Sequence, residues 1–219
     1  MPTYEDLLAR AEAHGANLVA VSKTKPVEQI RALYERGHRD FGENYVQELV
    51  AKSEQLPADI RWHFIGHLQR NKVKEIVPFV HLIHGVDSLR LLREIDKRAR
   101  AIGRIVDVLL QVHVAREETK YGFDGDELLA LLEDPNFHRL AWVRPAGIMG
   151  MTTHTDDRDR QAAEFAELKS LFDRIAEEFY DRRPDWSTLS MGMSGDYDLA
   201  LEHGSNMLRI GSLLFGSRD

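Results

Sequence analysis

Eight short runs rich in Val, Ile and Leu, each separated from the next by a stretch with helical spacing, most tightly constrain the fold of this chain. The runs are 17–22 (NLVAVS), 39–41, 61–65, 81–85, 104–114, the second half of 139–149, 188–192 and 207–211. Helical spacing is expected over 2–14, 27–36, 44–54, 71–76, 88–101, 125–133, 157–180 and 196–203. In the longest of these, Phe165, Leu168, Phe172, Ile175 and Phe179 recur at steps of three and four, which gives one apolar face. Strands alternating with helices imply crossover units and a parallel sheet. Eight such units in 219 residues predict an α/β fold, a single (β/α)8 TIM-type barrel, with an open doubly wound sheet as the alternative. One detail favours closure. The last strand is followed by only eight residues, too few for an eighth outer helix, while a helix precedes the first strand and can cover that gap. No linker-like stretch or internal repeat divides the chain, so residues 1–219 are expected to form one domain. The polar stretch 151–160 is expected to be a loop, with its mobility open.

Composition narrows the chemistry. The formal net charge of −7 argues against a nucleic-acid partner, which calls for a basic face. With no cysteine there is no disulfide, thiolate nucleophile or thiolate metal site. The N-terminal stretch is acidic and amphipathic, and no apolar run approaches the roughly 20 residues that span a bilayer. No membrane association and a cytoplasmic location are the expectations.

The stretch LVAVSKTKP ends an apolar strand on Lys23. Active sites of such barrels are built at the C-terminal ends of the strands, and Lys23 stands at the first. Alternation puts Val19, Val21 and Lys23 on one face. An amine desolvated in a barrel mouth loses charge and becomes able to attack a carbonyl and form a Schiff base. The plainer reading is a lysine whose stem lies on apolar surface and whose head reaches water. Two later segments weigh against it. GMSG after the seventh strand and GS after the eighth offer Ser194, Gly195, Gly211 and Ser212 where barrels commonly bind phosphate. On the eighth strand Met207, Arg209 and Gly211 share a face, so Arg209 points into the barrel if Leu208 and Ile210 face the helices. A buried guanidinium needs an acceptor. It is either a core carboxylate or the ring nitrogen of a pyridoxal phosphate cofactor, which an arginine would leave largely unprotonated.

A Schiff-base lysine, paired phosphate loops and an inward arginine describe a site for pyridoxal 5'-phosphate. The chain resembles the YggS/PROSC family of pyridoxal phosphate homeostasis proteins, related to the barrel domain of alanine racemase. The likeness runs nearly end to end, through FGENYVQEL (41–49), WHFIGHLQRNK (62–72), HGVDSL (84–89), ETKYGF (118–123), GIMGM (147–151) and the segment 189–218. The resemblance implies that Lys23 forms the aldimine, Arg209 meets the ring nitrogen, Ser194, Gly211 and Ser212 hold phosphate, and Asn44 lies near the ring. Ser212 stands where a threonine is common, which keeps the hydroxyl. The stretch 112–120 departs from the family's version, leaving the roles of His113 and Arg116 open.

Other groupings carry less. His63 and His67 have i, i+4 spacing, but on a strand running into a loop, and no metal site is expected. His81 and His84 are expected on opposite strand faces. Asp residues of 155–160 are read as caps for the long helix, and Lys120 as a solvated loop lysine. Two functions fit one pocket. The first is an amino-acid racemase, which needs a base on each face of the substrate. Lys23 serves one face, and Tyr45, Tyr121 and Tyr197 lie near strand ends without one being singled out. The second, which the resemblance implies, is cofactor buffering or delivery to apo enzymes without turnover, by a protein expected to be a monomer. A cofactor-free Schiff-base aldolase leaves Arg209 unexplained.

Overall fold

In the computed structural model, residues 2–114, 121–181 and 183–216 are described. Eight parallel strands close into a barrel in sequence order: β1 (Asn17–Val21), β2 (Asp40–Glu43), β3 (Arg61–Phe64), β4 (Leu82–Val86), β5 (Val106–Val112), β6 (Val143–Gly150), β7 (Thr188–Met193) and β8 (Met207–Ile210). The seam is the pairing of β1 with β8, which sets Val19 beside Arg209. Closure removes every sheet edge, and the open-sheet alternative is excluded.

The helices are α1 (Tyr4–Ala13), α2 (Val27–Glu35), α3 (Val46–Ser53), α4 (Val73–Ile76), α5 (Leu89–Ala101), α6 (Gly125–Glu133), α7 (Arg158–Glu178), α8 (Tyr197–Glu202) and α9 (Ser212–Phe215). Local chemistry sets several starts. Thr3 with Asp6 and Asp124 with Glu127 form capping boxes, while Ser88 and Asp157 accept from the amides of Leu91 and Arg160. Pro26 is the N-cap residue of α2, in extended conformation. Residues 70–76 hold a 3-10 turn (Arg70–Lys72) leading into the single turn of α4, not one continuous helix.

Alternation divides the apolar residues into two cores. Leu18, Ala20, Leu208 and Ile210 join the shell between strands and helices, and Val19, Leu82, Leu109, Met149 and Met207 fill the barrel itself. Before β1, α1 fills the outer ring beside the seam, where among the described residues the one-turn α9 follows β8. It buries Leu7 and Ala11 in the shell, pairs Glu5 with Arg36 at the end of α2, and sets Arg10 Nε 2.9 Å from Asp198 of α8.

Candidate functional site

At the mouth of the barrel, Ser22–Lys25 form a turn closed by Lys25 N–H donating to Ser22 O at 3.0 Å. Its third residue, Thr24, has φ 63°, a left-handed conformation that a β-branched residue holds only against strain of roughly 1–3 kcal/mol. The turn carries Lys23 half-buried to the wall of a cavity of about 660 Å³. The wall comes from residues at or just beyond the C-terminal ends of β1, β2, β3, β6, β7 and β8. Lys23, Asn44, Ser194, Gly195, Arg209, Gly211 and Ser212 all line it. Lys25 also lines the cavity, as do Thr152, His154 and Asp156 of the polar loop after β6.

The loops after β7 and β8 are joined. Ser194 Oγ accepts from Gly211 N–H at 3.3 Å. Asp196 braces the first of them, accepting from Met193 N–H at 2.6 Å and from the Thr152 hydroxyl at 3.1 Å. Past Gly211, the first bond within α9 is Leu214 N–H to Gly211 O, so the amides of Ser212 and Leu213 precede the helix's own ladder. A Cβ at Gly211 would stand 3.3 Å from Val21 O, tighter than most side chains show, so glycine eases the loop's close approach to β1.

Arg209 is buried, as its face on β8 predicts, and its partners are neutral. One guanidinium nitrogen donates to Ser190 Oγ at 2.6 Å, another to Gly150 O at 2.9 Å. Burial pushes its pKa down to about 10, with Asp196 pulling the other way, so it is charged at neutral pH. The core-carboxylate partner weighed for it does not occur among these bonds. Behind it runs a buried row that the sequence did not bring out. Ser190 Oγ lies 3.3 Å from His84 Nδ1, His84 Nε2 lies 2.9 Å from His63 Nδ1, and His63 Nε2 lies 3.0 Å from Asp40 Oδ1. Burial first, then the nearby His63 and Arg209, drives the His84 pKa well down, so that ring is neutral and bridges as donor on one side and acceptor on the other. Arginine only donates, so Ser190 accepts from it and can give its own proton to His84. With that assignment every link runs donor to acceptor from Arg209 to Asp40. Burial works to raise the Asp40 pKa, but bonds from Arg61 and His63 outweigh it and hold the carboxylate low. Sequence alternation contained the signal: His63 sits between the outward Trp62 and Phe64.

Some expectations change. His81 precedes β4, at the foot of the barrel, so strand alternation does not govern it. Both His81 and His84 pack against His63, with ring centroids 5.4 and 5.2 Å away. Among the described residues no group of three or more metal-ligating side chains converges. His67 stacks on the exposed Tyr121 at 4.1 Å. His113 holds its strand by N–H donation to Phe123 O. Arg116 and Lys120 lie outside the described residues. The start of the polar loop is tied to α7, since Thr153 N–H and hydroxyl both donate to Glu164, at 2.6 and 2.7 Å.

Among the described lining residues, the basic side chains of Lys23, Lys25 and Arg209 stand with two carboxylates, Asp156 and Asp196, of which Asp196 is already engaged by Met193 and Thr152. On a chain of net charge −7, that local balance suits an anionic ligand. A half-buried amine, joined serine–glycine loops and a buried arginine on a parallel barrel define a class, and residues 4–219 match the family model described as alanine racemase, N-terminal domain. A pyridoxal phosphate homeostasis protein of Aquifex aeolicus is 41% identical over 93% of this chain and 87% of its own. PipY of Synechococcus elongatus PCC7942, at 34% identity, superposes with TM-score 0.87 as solved without PLP and 0.84 as solved with PLP bound, each covering 95% of this chain and 98% of PipY. The chain belongs to the pyridoxal phosphate homeostasis protein family.

Proposed function

We infer that the cavity holds pyridoxal 5'-phosphate, and that the protein keeps the cofactor in store or hands it on without turning over a substrate. The observation carrying this reading is that Lys23, Asn44, Ser194, Arg209, Gly211 and Ser212, distant in sequence, line one cation-rich cavity. PipY, solved with PLP bound, is close in fold and covers nearly the whole chain. The donor set also fits the group. Asn44 Oδ1 is buried with no hydrogen-bond partner among the described residues, and Arg209 uses two of its five donors on Ser190 and Gly150. When bound, the cofactor supplies an aldehyde that an amine captures reversibly, a pyridine ring and a phosphate.

In this reading Lys23 Nζ is the capturing amine. Ser194, Ser212 and the Ser212 and Leu213 amides just past Gly211 hold the phosphate, and Asn44 flanks the ring. Arg209, fixed from behind and charged, donates to the ring nitrogen and keeps a proton off it, which weakens the ring as an electron sink and favours holding over catalysis. Racemisation needs a second base opposite Lys23. Tyr45, Tyr121 and Tyr197 are absent from the described lining residues, and Tyr45 and Tyr121 are exposed. Among the described residues no helix is long and apolar enough to cross a membrane. A cytoplasmic monomer that delivers cofactor to apo enzymes belongs to the same reading. So does a single domain over residues 1–219, since the closed barrel takes its first strand from Asn17 and its last from Met207.

Solvent-deuterium exchange at the α-carbon of alanine, followed by NMR with the cofactor-loaded protein, tests storage against turnover. Exchange no faster than with free cofactor is expected. Sustained exchange at several turnovers per second would give the pocket to a racemase.

A further inference from the structure

Ser22 and Lys23 point to opposite sides of the barrel wall. Behind the wall, out of the cavity, stands a buried ionic cluster that none of the assigned ligand contacts uses. Lys52, on α3, has a side chain only 8% exposed. Its ammonium donates to Ser22 O at 2.9 Å, Glu43 Oε1 at 2.8 Å and Glu48 Oε2 at 2.9 Å, so each of its three donors has an acceptor. The Ser22 hydroxyl donates to the same Glu43 oxygen at 2.6 Å. Glu48 Oε2 also accepts from Thr24 N–H at 2.8 Å.

These contacts fall on the two peptide groups that flank Lys23: the carbonyl before its Cα and the amide after it. They therefore fix the peptide planes that set the direction of its Cα–Cβ bond. They do so where the backbone least holds itself, because Thr24 at φ 63° would relax to an extended or right-handed conformation if released. A buried ammonium between two carboxylates is a poor choice for stability alone, since apolar side chains of the same volume often serve as well or better.

We propose that Lys52, Glu43 and Glu48 are positioning residues that hold the Ser22–Thr24 turn so that the Lys23 amine stands in line with an aldehyde in the cavity. This rests on the cofactor reading above. The step it serves is a condensation: Lys23 Nζ adds to the aldehyde carbon, the amine gives up its protons, the carbon–oxygen bond breaks and the oxygen leaves as water. Misplacement of the amine slows that addition without touching the phosphate or ring contacts.

The test compares Glu48→Ala and Glu48→Gln with the unaltered chain, using two probes. Pyridoxal 5'-phosphate reads covalent capture, by the rate at which its bound visible absorbance appears. Pyridoxine 5'-phosphate, an alcohol with no aldehyde, reads the phosphate and ring contacts by calorimetry. Glu48→Ala removes the acceptor for Thr24 N–H, and its capture rate should fall about tenfold or more. Its affinity for the alcohol should stay within about twofold, because no group on the cavity wall has changed. Glu48→Gln keeps an acceptor oxygen and should recover most of the rate. An unchanged capture rate in Glu48→Ala, or an equal loss for both probes, overturns the proposal. If the unaltered chain captures no aldehyde yet binds the alcohol, the cofactor reading itself fails at Lys23, and this proposal with it.

Discussion

Glu43 is the residue in which burial and charge are most directly opposed. Lys52 lies between two carboxylates, Glu43 fully buried and Glu48 nearer water. Burial raises the Glu43 carboxyl to about 7 against the pull of Lys52 and Ser22. For Glu48 the burial cost is outweighed by bonds from Thr24 N–H and Lys52, and its pKa falls. The folded value of Glu43 stands above its reference of 4.5, so the folded chain binds this proton more tightly than the unfolded one. The stability this adds is whole below 4.5, drains as pH rises toward 7, and is gone above it. Thermal midpoints should therefore fall across that window in the unaltered chain relative to Glu43→Gln, and run level with it at higher pH. Parallel curves throughout would show that Glu43 titrates elsewhere. Lys23 and Arg209 were legible in sequence because period-two alternation assigns strand faces without any tertiary information. The clamp was not. Lys52 does fall on the stripe of Val46 and Leu49, the buried face of α3, but a lysine there reads as a stem lying along apolar surface until a carboxylate on another element is seen to meet it.

Elements build the site through their junctions more than their interiors. Just past β3, Gly66 packs so closely on the β2 end that an added Cβ would stand 2.3 Å from Asn44 O. Gly66→Ala must displace the Asn44 backbone, so cofactor retention should drop several-fold while the barrel still folds. Far- and near-ultraviolet circular dichroism would report the fold, and equilibrium dialysis the retention. Unchanged retention would separate Asn44 from the ligand. Strand and helix identity were legible here, since long periodic segments such as α7 announce themselves. Boundaries set by pairing were less so. The strand expected over the second half of 139–149 starts already at Val143, where pairing with Val106 begins. The turn at Thr24 carried no glycine to mark its left-handed residue. The 3-10 turn at 70–72 lacks the length that periodicity needs.

At the scale of the whole molecule, closure is what brings a lysine near the start of the chain beside loops near its end. The β1–β8 seam pairs Val19 with Arg209, and two residues further along each strand lie Val21 and Gly211, the approach on which Lys23 and the phosphate-binding candidates depend. The count of eight strand–helix units made the barrel legible, and α1 takes its place in the outer ring between α2 and α8. How the interior is plugged was not legible, because whether Arg209 meets a carboxylate or the Ser190–His84–His63 row depends on contacts between β3, β4, β7 and β8. The claim joining these scales is that the amine at the barrel rim captures the cofactor's aldehyde. The most direct measurement is mass spectrometry of peptides after borohydride reduction of the protein mixed with pyridoxal 5'-phosphate. A pyridoxyl mass on the peptide bearing Lys23, lost in Lys23→Ala, is the result this account predicts; a stoichiometric tag on another lysine, with Lys23 unmodified, would contradict it.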